Sequence, residues 1–480
     1  MLPIQKHEVM ASRRLAFWIL ACTLGACSGG SQSPPESGEG VSLPCANEAR
    51  EHKFPDYIVT PVEATASSSE RAAVASSVYD DFPGTYWDSG GLAPQWIMLD
   101  FGSPRAVKSI RLCVYQRRSG VTSHQIHGGL TTDNQVLISE LTTTTVGGQV
   151  QVVDTPASST LLVRYLRIRT VASPDRIAWG KIEVLASATN IPDYFGYYGD
   201  AFSWLTPSTS EVLGHVNLSW VSSGMADLSN LLQALEYAQQ AGLKVALAVP
   251  QDLFFRDDLV LANRYLEKWA LFAEQIRPYI DQIAFIYPID EPYSQAKVAG
   301  INPGVMKRRL ELVGSVIKAT FPDKPLAFSF SAIDFDIQDS AFASLANPIP
   351  VGYDWFGFDC YGSWESCGEP LYRSVHPIPW YINQIKARLS PSQRVFLFPD
   401  AFVQQSNPVD AGIDEIAGSK RLRLAEKYVQ LALSEPAVVG VFPFLYQDDY
   451  VEGSVRFLGV RHWPMLKLKY EVIGKAIAGK

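Results

Sequence analysis

Apolar and polar positions alternate with a period of two over 95–102 (QWIMLDFG), 107–115 (VKSIRLCVY) and 162–171 (LVRYLRIRTV), and 180–185 (GKIEVL) closes the set. That period marks strands with one buried face, and turn residues separate the runs. Residues 45–187 are therefore predicted to form an antiparallel β-sandwich. From residue 190 the rhythm changes. Short apolar runs at 194–198, 215–220, 244–249, 283–289, 326–331, 355–361, 394–398 and 438–445 alternate with amphipathic stretches at 228–241, 259–280, 305–321, 380–389, 419–434 and 465–478. This alternation predicts βα units and a parallel sheet. Eight strands in about 290 residues fit a (β/α)8 TIM barrel, whose usual length is about 250 with insertions. The competing doubly wound sheet wants a Gly-rich phosphate turn after an early strand, and the sequence has none.

The N-terminus reads as an address. Arg13 and Arg14 precede a short apolar run, and Leu24-Gly25-Ala26-Cys27 leads into small residues, the layout of a secretory signal over residues 1–26. Met10 opens a more compact signal than Met1. The Leu-Gly-Ala-Cys stretch resembles the bacterial lipobox, which implies acyl chains on Cys27, export across the inner membrane and anchoring at a bacterial outer membrane, facing either the periplasm or the surface. The alternative is an ordinary cleavable signal with an incidental Cys. Residues 27–44 are poor in apolar positions and include SGGSQSPPESGEG, a flexible tether.

Composition narrows the partners. With 41 Lys and Arg against 49 Asp and Glu the chain carries −8, which argues against a nucleic-acid phosphate backbone as ligand. Its 11 Trp, 21 Tyr and 23 Phe suit a neutral carbohydrate better, and the chain is expected to act as a monomer. Of six Cys, four remain beyond the signal and Cys27: Cys45, Cys113, Cys360 and Cys367. Two disulfides are expected, a local Cys360–Cys367 pair with Cys45–Cys113 across the first domain, other connectivities staying open.

The first domain resembles the discoidin, or coagulation-factor type C, modules on 64–69 (ATASSS), Tyr86-Trp87-Asp88-Ser89, 95–102 and 164–168 (RYLRI). That resemblance implies a jelly-roll sandwich of the galactose-binding-like kind, ligand loops at one end and often a structural calcium. Asp80, Asp81, Thr85 and Glu183 are its nearest candidate ligands. Arg117, Arg118, His124, His127 and Trp179 are candidates to face a sugar, or to be ordinary surface and core residues.

In a TIM barrel the chemistry sits at the C-terminal strand ends, so the residues after each run matter. They are rich in acids and aromatics: Tyr197, Trp220, Tyr287-Pro288-Ile289-Asp290-Glu291, Asp359-Cys360-Tyr361, Asp400, Tyr446 and Gln447. Glycosidic cleavage needs a carboxylic acid for the leaving oxygen and a second group for the oxocarbenium ion, with aromatic walls for the sugar rings. Asp290-Glu291-Pro292 resembles the acid/base position of the large barrel-glycosidase clan. The resemblance implies Glu291 as acid/base and a nucleophile after strand seven, where Asp400 stands in place of Glu. The pair also resembles barrel N-acetylhexosaminidases with substrate-assisted catalysis, which implies that Asp290 orients the acetamido group and Glu291 protonates. Tyr197, Trp220, Tyr287, Asp359, Tyr361, Tyr446 and Gln447 are expected to bind substrate. The expectation is a retaining glycoside hydrolase without a catalytic cofactor; a non-catalytic glycan-binding surface lipoprotein is the alternative.

Overall fold

The computed structural model describes residues 54–479 apart from 81–83, 156–161, 199–210, 223–227, 337–339, 362, 368–375, 406–414, 448 and 452–454. The signal, the tether, Cys27 and Cys45 lie outside the described residues. Backbone contacts separate into two units at the boundary between Thr189 and Asn190.

The first unit is built from β1 (Tyr57–Val59), β2 (Glu63–Ala66), β3 (Trp87–Asp88), β4 (Gln95–Val114), β5 (Gly120–Gly129), β6 (Val136–Thr145), β7 (Val150–Asp154), β8 (Leu162–Ala172) and β9 (Ala178–Ser187). Every pairing among them is antiparallel. The period of two is realised in β4, where Ile97, Leu99 and Phe101 are buried and the residues between them are more exposed. Over its first half β4 pairs with β2 and β8, and over its second with β7 and β9. The change falls beside Gly102, whose φ of 71° a side chain would oppose. One long strand thereby serves both faces of the sandwich, with a register shift between Asp100 and Arg105 at the corner.

In the second unit eight strands run parallel: β10 (Tyr194–Phe195), β11 (Leu218–Ser222), β12 (Lys244–Ala248), β13 (Ile283–Tyr287), β14 (Ala327–Ser331), β15 (Trp355–Asp359), β16 (Arg394–Phe398) and β18 (Val438–Val441). They form a sheet of five in the order β10-β18-β16-β15-β14 and a sheet of three, β11-β12-β13. A small antiparallel sheet of β17 (Val403–Gln405), β19 (Asp449–Val451) and β20 (Val455–Leu458) lies apart from these in sheet pairing. The connections carry α1 (Leu228–Gln240), α2 (Gln251–Phe254), α3 (Tyr265–Ile276), α4 (Pro292–Val298), α5 (Pro303–Thr320), α6 (Ile333–Asp336), α7 (Ala341–Ser344), α8 (Ile378–Lys386) and α9 (Glu415–Ser434), and α10 (Pro464–Ala478) ends the chain.

Single contacts join the two parallel sheets at both edges. The Ile286 amide donates to the Pro325 carbonyl at 2.9 Å, and the Asn217 amide donates to the Phe195 carbonyl at 3.1 Å. The Asn217 Oδ1 accepts in turn from the Phe195 amide at 2.8 Å. Both sheets feed one core: Trp220 of β11 packs against Phe285 of β13, Phe398 of β16 and Phe442, with ring centroids 5.4–5.6 Å apart. Strands covered on both faces account for runs such as VFLF in β16, in which every residue is fully buried.

Candidate functional site

The fourth parallel strand, β13, stops because the chain meets Pro288 and Pro292, which offer no N–H to a neighbouring strand. Pro292 then opens α4 at the helix position that tolerates it. Between them Glu291 adopts φ 38° and ψ 54°. This left-handed conformation costs a non-glycine residue on the order of 1–3 kcal/mol and persists only where the surroundings impose it. Here the Glu291 amide donates to Ser329 Oγ at 3.3 Å. Its partly buried side chain is hydrogen-bonded to Asp359, the last residue of β15. Burial, then the charges of Asp359 and Asp290, push the Glu291 carboxyl well above the usual carboxylate range. The bond between them raises the Glu291 carboxyl and lowers that of Asp359, which burial nevertheless pushes well above the usual carboxylate range.

Asp290 is held by three hydroxyls. Its Oδ2 accepts from Tyr198 at 2.9 Å, and its Oδ1 from Tyr287 at 2.5 Å and from Ser329 at 2.7 Å. Gln295 of α4 donates to the Asp290 carbonyl at 2.5 Å. Behind this pair Asp334 is buried, accepting from Ser294 Oγ at 3.0 Å and from the Ser331 amide at 3.0 Å, and burial raises its carboxyl to about 7. Four acids thus gather at the C-terminal ends of β13, β14 and β15, and burial raises the carboxyls of Glu291, Asp334 and Asp359 above the usual range.

Several expected roles change. Asp400, expected as nucleophile, is 1% exposed and ion-paired with Arg421 of α9 at 3.0 Å. Its charge is felt by Tyr428 of α9 and Tyr470 of α10, so it serves the junction of strand and helix layer. Burial raises it to about 6 against the pull of Arg421. Tyr197, expected to bind substrate, is buried, with its hydroxyl 3.0 Å from His215 Nε2. Its neighbour Tyr198 reaches Asp290 instead, and sequence reading missed it because one residue of register decides which face a side chain takes. Trp220 and Tyr287 are likewise buried, packed 5.1 Å apart below the acids, where Tyr287 positions Asp290. Tyr446 is buried and donates to Glu211 Oε2 at 2.6 Å, while Gln447 is partly buried. Asp359, expected to bind hydroxyls, is the group that meets Glu291. Tyr361 alone of the expected aromatics is well exposed, at 42%, its ring backed by Phe402 and Phe444. Ser329 and Glu211 carried no sequence signal.

On the sandwich, His124 and Trp179 belong to the interior. His124 is buried between Thr170 Oγ1 at 2.9 Å and Thr122 Oγ1 at 3.2 Å, and burial lowers its pKa to about 4. His127 is partly buried, and Arg117 and Arg118 are exposed, their amides donating to Asp175. The loop ends gather instead a stacked Tyr86–Tyr115 pair, centroids 4.1 Å apart, and Arg176, which spans Glu70 and Asp88 at 2.9 Å each. Of the expected calcium ligands, Asp81 lies outside the described residues. Asp80 and Thr85 are both taken by the Lys181 ammonium, and Glu183 pairs with Arg111. Among the described residues no group of three or more His, Cys, Asp and Glu side chains is arranged for a metal, and no helix is long and apolar enough to cross a membrane. Cys360 and Cys367 form a disulfide, with Cα atoms 5.9 Å apart. Cys113 is buried and disulfide-bonded.

Residues 63–185 match the F5/8 type C domain family, and the antiparallel sandwich is a domain of that kind. Similar solved structures include the family 32 module of C. perfringens NanJ in complex with galactose, 20% identical, covering 27% of this chain and 98% of that chain with a TM-score of 0.24. Chitosan-binding module 1 of a chitosanase/glucanase from Paenibacillus sp. IK-5 is 26% identical over 26% of this chain and 95% of that one, with a TM-score of 0.22. CpGH89CBM32-5 from Clostridium perfringens, in complex with GalNAc-β-1,3-galactose, is 15% identical over 26% and 98%, with a TM-score of 0.24. No curated protein matches the chain.

Proposed function

We propose that this chain is a lipid-anchored glycoside hydrolase, in which the sandwich binds a glycan and residues 190–479 close into a (β/α)8 TIM barrel that cleaves it. The observation that carries the reading is Glu291: a partly buried carboxyl at the strand ends, bonded to Asp359 and pushed well above the usual carboxylate range by burial and by its acidic neighbours. Such a group is a proton donor for a leaving glycosidic oxygen. Closure of the barrel is supported by the edge contacts of Ile286 with Pro325 and of Asn217 with Phe195. Glycan binding is supported by the F5/8 type C match and by the sugars named with similar modules.

Asp400 is buried and paired through Oδ1 with Arg421, an arrangement that argues against its serving as the covalent nucleophile. This favours the second resemblance, with a 2-acetamido sugar supplying its own nucleophile and Asp290 orienting the amide. The three hydroxyls on Asp290 leave it a lone-pair direction for that N–H while fixing its position. Tyr361 provides an aromatic face at the same rim. The test compares aryl 2-acetamido-2-deoxyglycosides with the parent aryl glycosides. Glu291→Gln is expected to lower turnover of the acetamido substrates by roughly 100- to 10,000-fold with the fold unchanged by circular dichroism. Undiminished turnover rules the assignment out. Hydrolysis of the parent glycosides at equal rate rules out the acetamido route while leaving Glu291 as acid. Anchoring through Cys27 is proposed on the lipobox alone and is checked by fatty-acid labelling of wild type and Cys27→Ala.

A further inference from the structure

Protein oxygens gather around a buried positive charge when that charge must be held without water. On the sandwich they do so around Lys181. The Ser77 carbonyl, Asp80 Oδ1 and Thr85 Oγ1 converge on Lys181 Nζ at 2.7, 2.5 and 2.9 Å. Lys181 is only 5% exposed. An ammonium has three protons and no acceptor, and the three oxygens of Ser77, Asp80 and Thr85 match it one to one. Asp80 supplies the opposite charge that burial of the ammonium requires. Thr85 Oγ1 also donates to Asp80 Oδ1 at 2.5 Å, so the oxygens are tied to one another as well.

Calcium needs six to eight oxygens at about 2.3–2.6 Å. Here the centre is occupied by nitrogen, and Glu183, the remaining described candidate ligand, faces Arg111 at 3.8 Å across the β4–β9 pairing. These residues do not fit the metal that the resemblance implies. We propose that the Lys181 ammonium is the resident cation of this site, a covalently tethered stand-in for a divalent ion, and that it fastens Ser77, Asp80 and Thr85 to β9 so that the domain holds them in place without calcium. The inference is independent of the proposed hydrolysis.

The test is differential scanning calorimetry of the full chain with chelator and with millimolar calcium, with hydrogen exchange to assign the transition of residues 54–189. For the wild type, neither addition is expected to move that transition by more than about 1 °C. Lys181→Met keeps most of the stem and removes the charge; it is expected to lower the transition by roughly 5 °C or more and to speed exchange over 75–88, leaving the 190–479 transition in place. A wild-type transition lowered by chelator or raised by calcium overturns the proposal, as does a Met variant melting with the wild type. Should that variant fail to fold, calcium titration of the wild type by isothermal calorimetry decides: no binding heat supports the proposal and stoichiometric binding overturns it.

Discussion

At the residue scale the candidate chemistry comes from how unevenly four neighbouring acids are treated. Asp290 accepts three hydroxyls, Asp334 takes a serine and an amide, and Glu291 is left with Asp359. The direction of the pH dependence follows. A general acid works only while protonated, so activity falls as pH rises through the Glu291 pKa, and burial, followed by the charges of Asp359 and Asp290, pushes that fall to higher pH. Asp359→Asn removes the charge. Its kcat/KM profile is expected to lose activity about one pH unit or more lower than the wild type. An unmoved basic limb, measured from pH 4 to 9, would show that Asp359 does not govern the proton. The Asp290-Glu291 pair was legible in the sequence because it follows an apolar run and precedes a proline. Asp359 as its partner was not, since 68 residues separate it from Glu291 and only the lateral order of β13, β14 and β15 brings them together.

At the element scale, the parallel strands leave little space between them. Gly357 sits in β15 where a Cβ would come within 2.5 Å of the Phe396 ring and 2.8 Å of the Phe398 ring. Those rings lie beside Trp220, which in turn packs under Tyr287 and Tyr198. A methyl at residue 357 therefore displaces the layer on which the acids rest. Gly357→Ala is expected to cost about 1–3 kcal/mol in urea unfolding, as overpacking does. A variant as stable as the wild type would mean that the rings move aside freely. Asp400 teaches the complementary lesson. It follows a strand of the expected kind, yet Arg421 of α9 pairs with it from the helix side, which no local pattern announces.

At the scale of the whole molecule, two units with separate cores divide the proposed labour. Deleting residues 54–189 is expected to leave turnover of a small aryl glycoside within about threefold of the full chain while retention on an insoluble glycan falls at least tenfold, because linking two binding units raises local concentration without new contacts. Pull-down and turnover measured on the same preparations check both halves of this expectation.

Hydrophobic period pointed to β4, β8 and β9 of the first unit and to the parallel strands and their alternation with helices in the second, because burial of one face or of both is written residue by residue along the chain, while β1, β2, β3, β5, β6 and β7 were not read from it. It also placed an Asp-Glu pair at a strand end. Tertiary structure decided which acids meet, that Tyr198 rather than Tyr197 reaches them, and that a lysine fills the oxygen cage of the sandwich. Those outcomes depend on which side of a strand end a side chain leaves from and on what lies opposite it across tens of residues of sequence, and neither quantity has a period to be read.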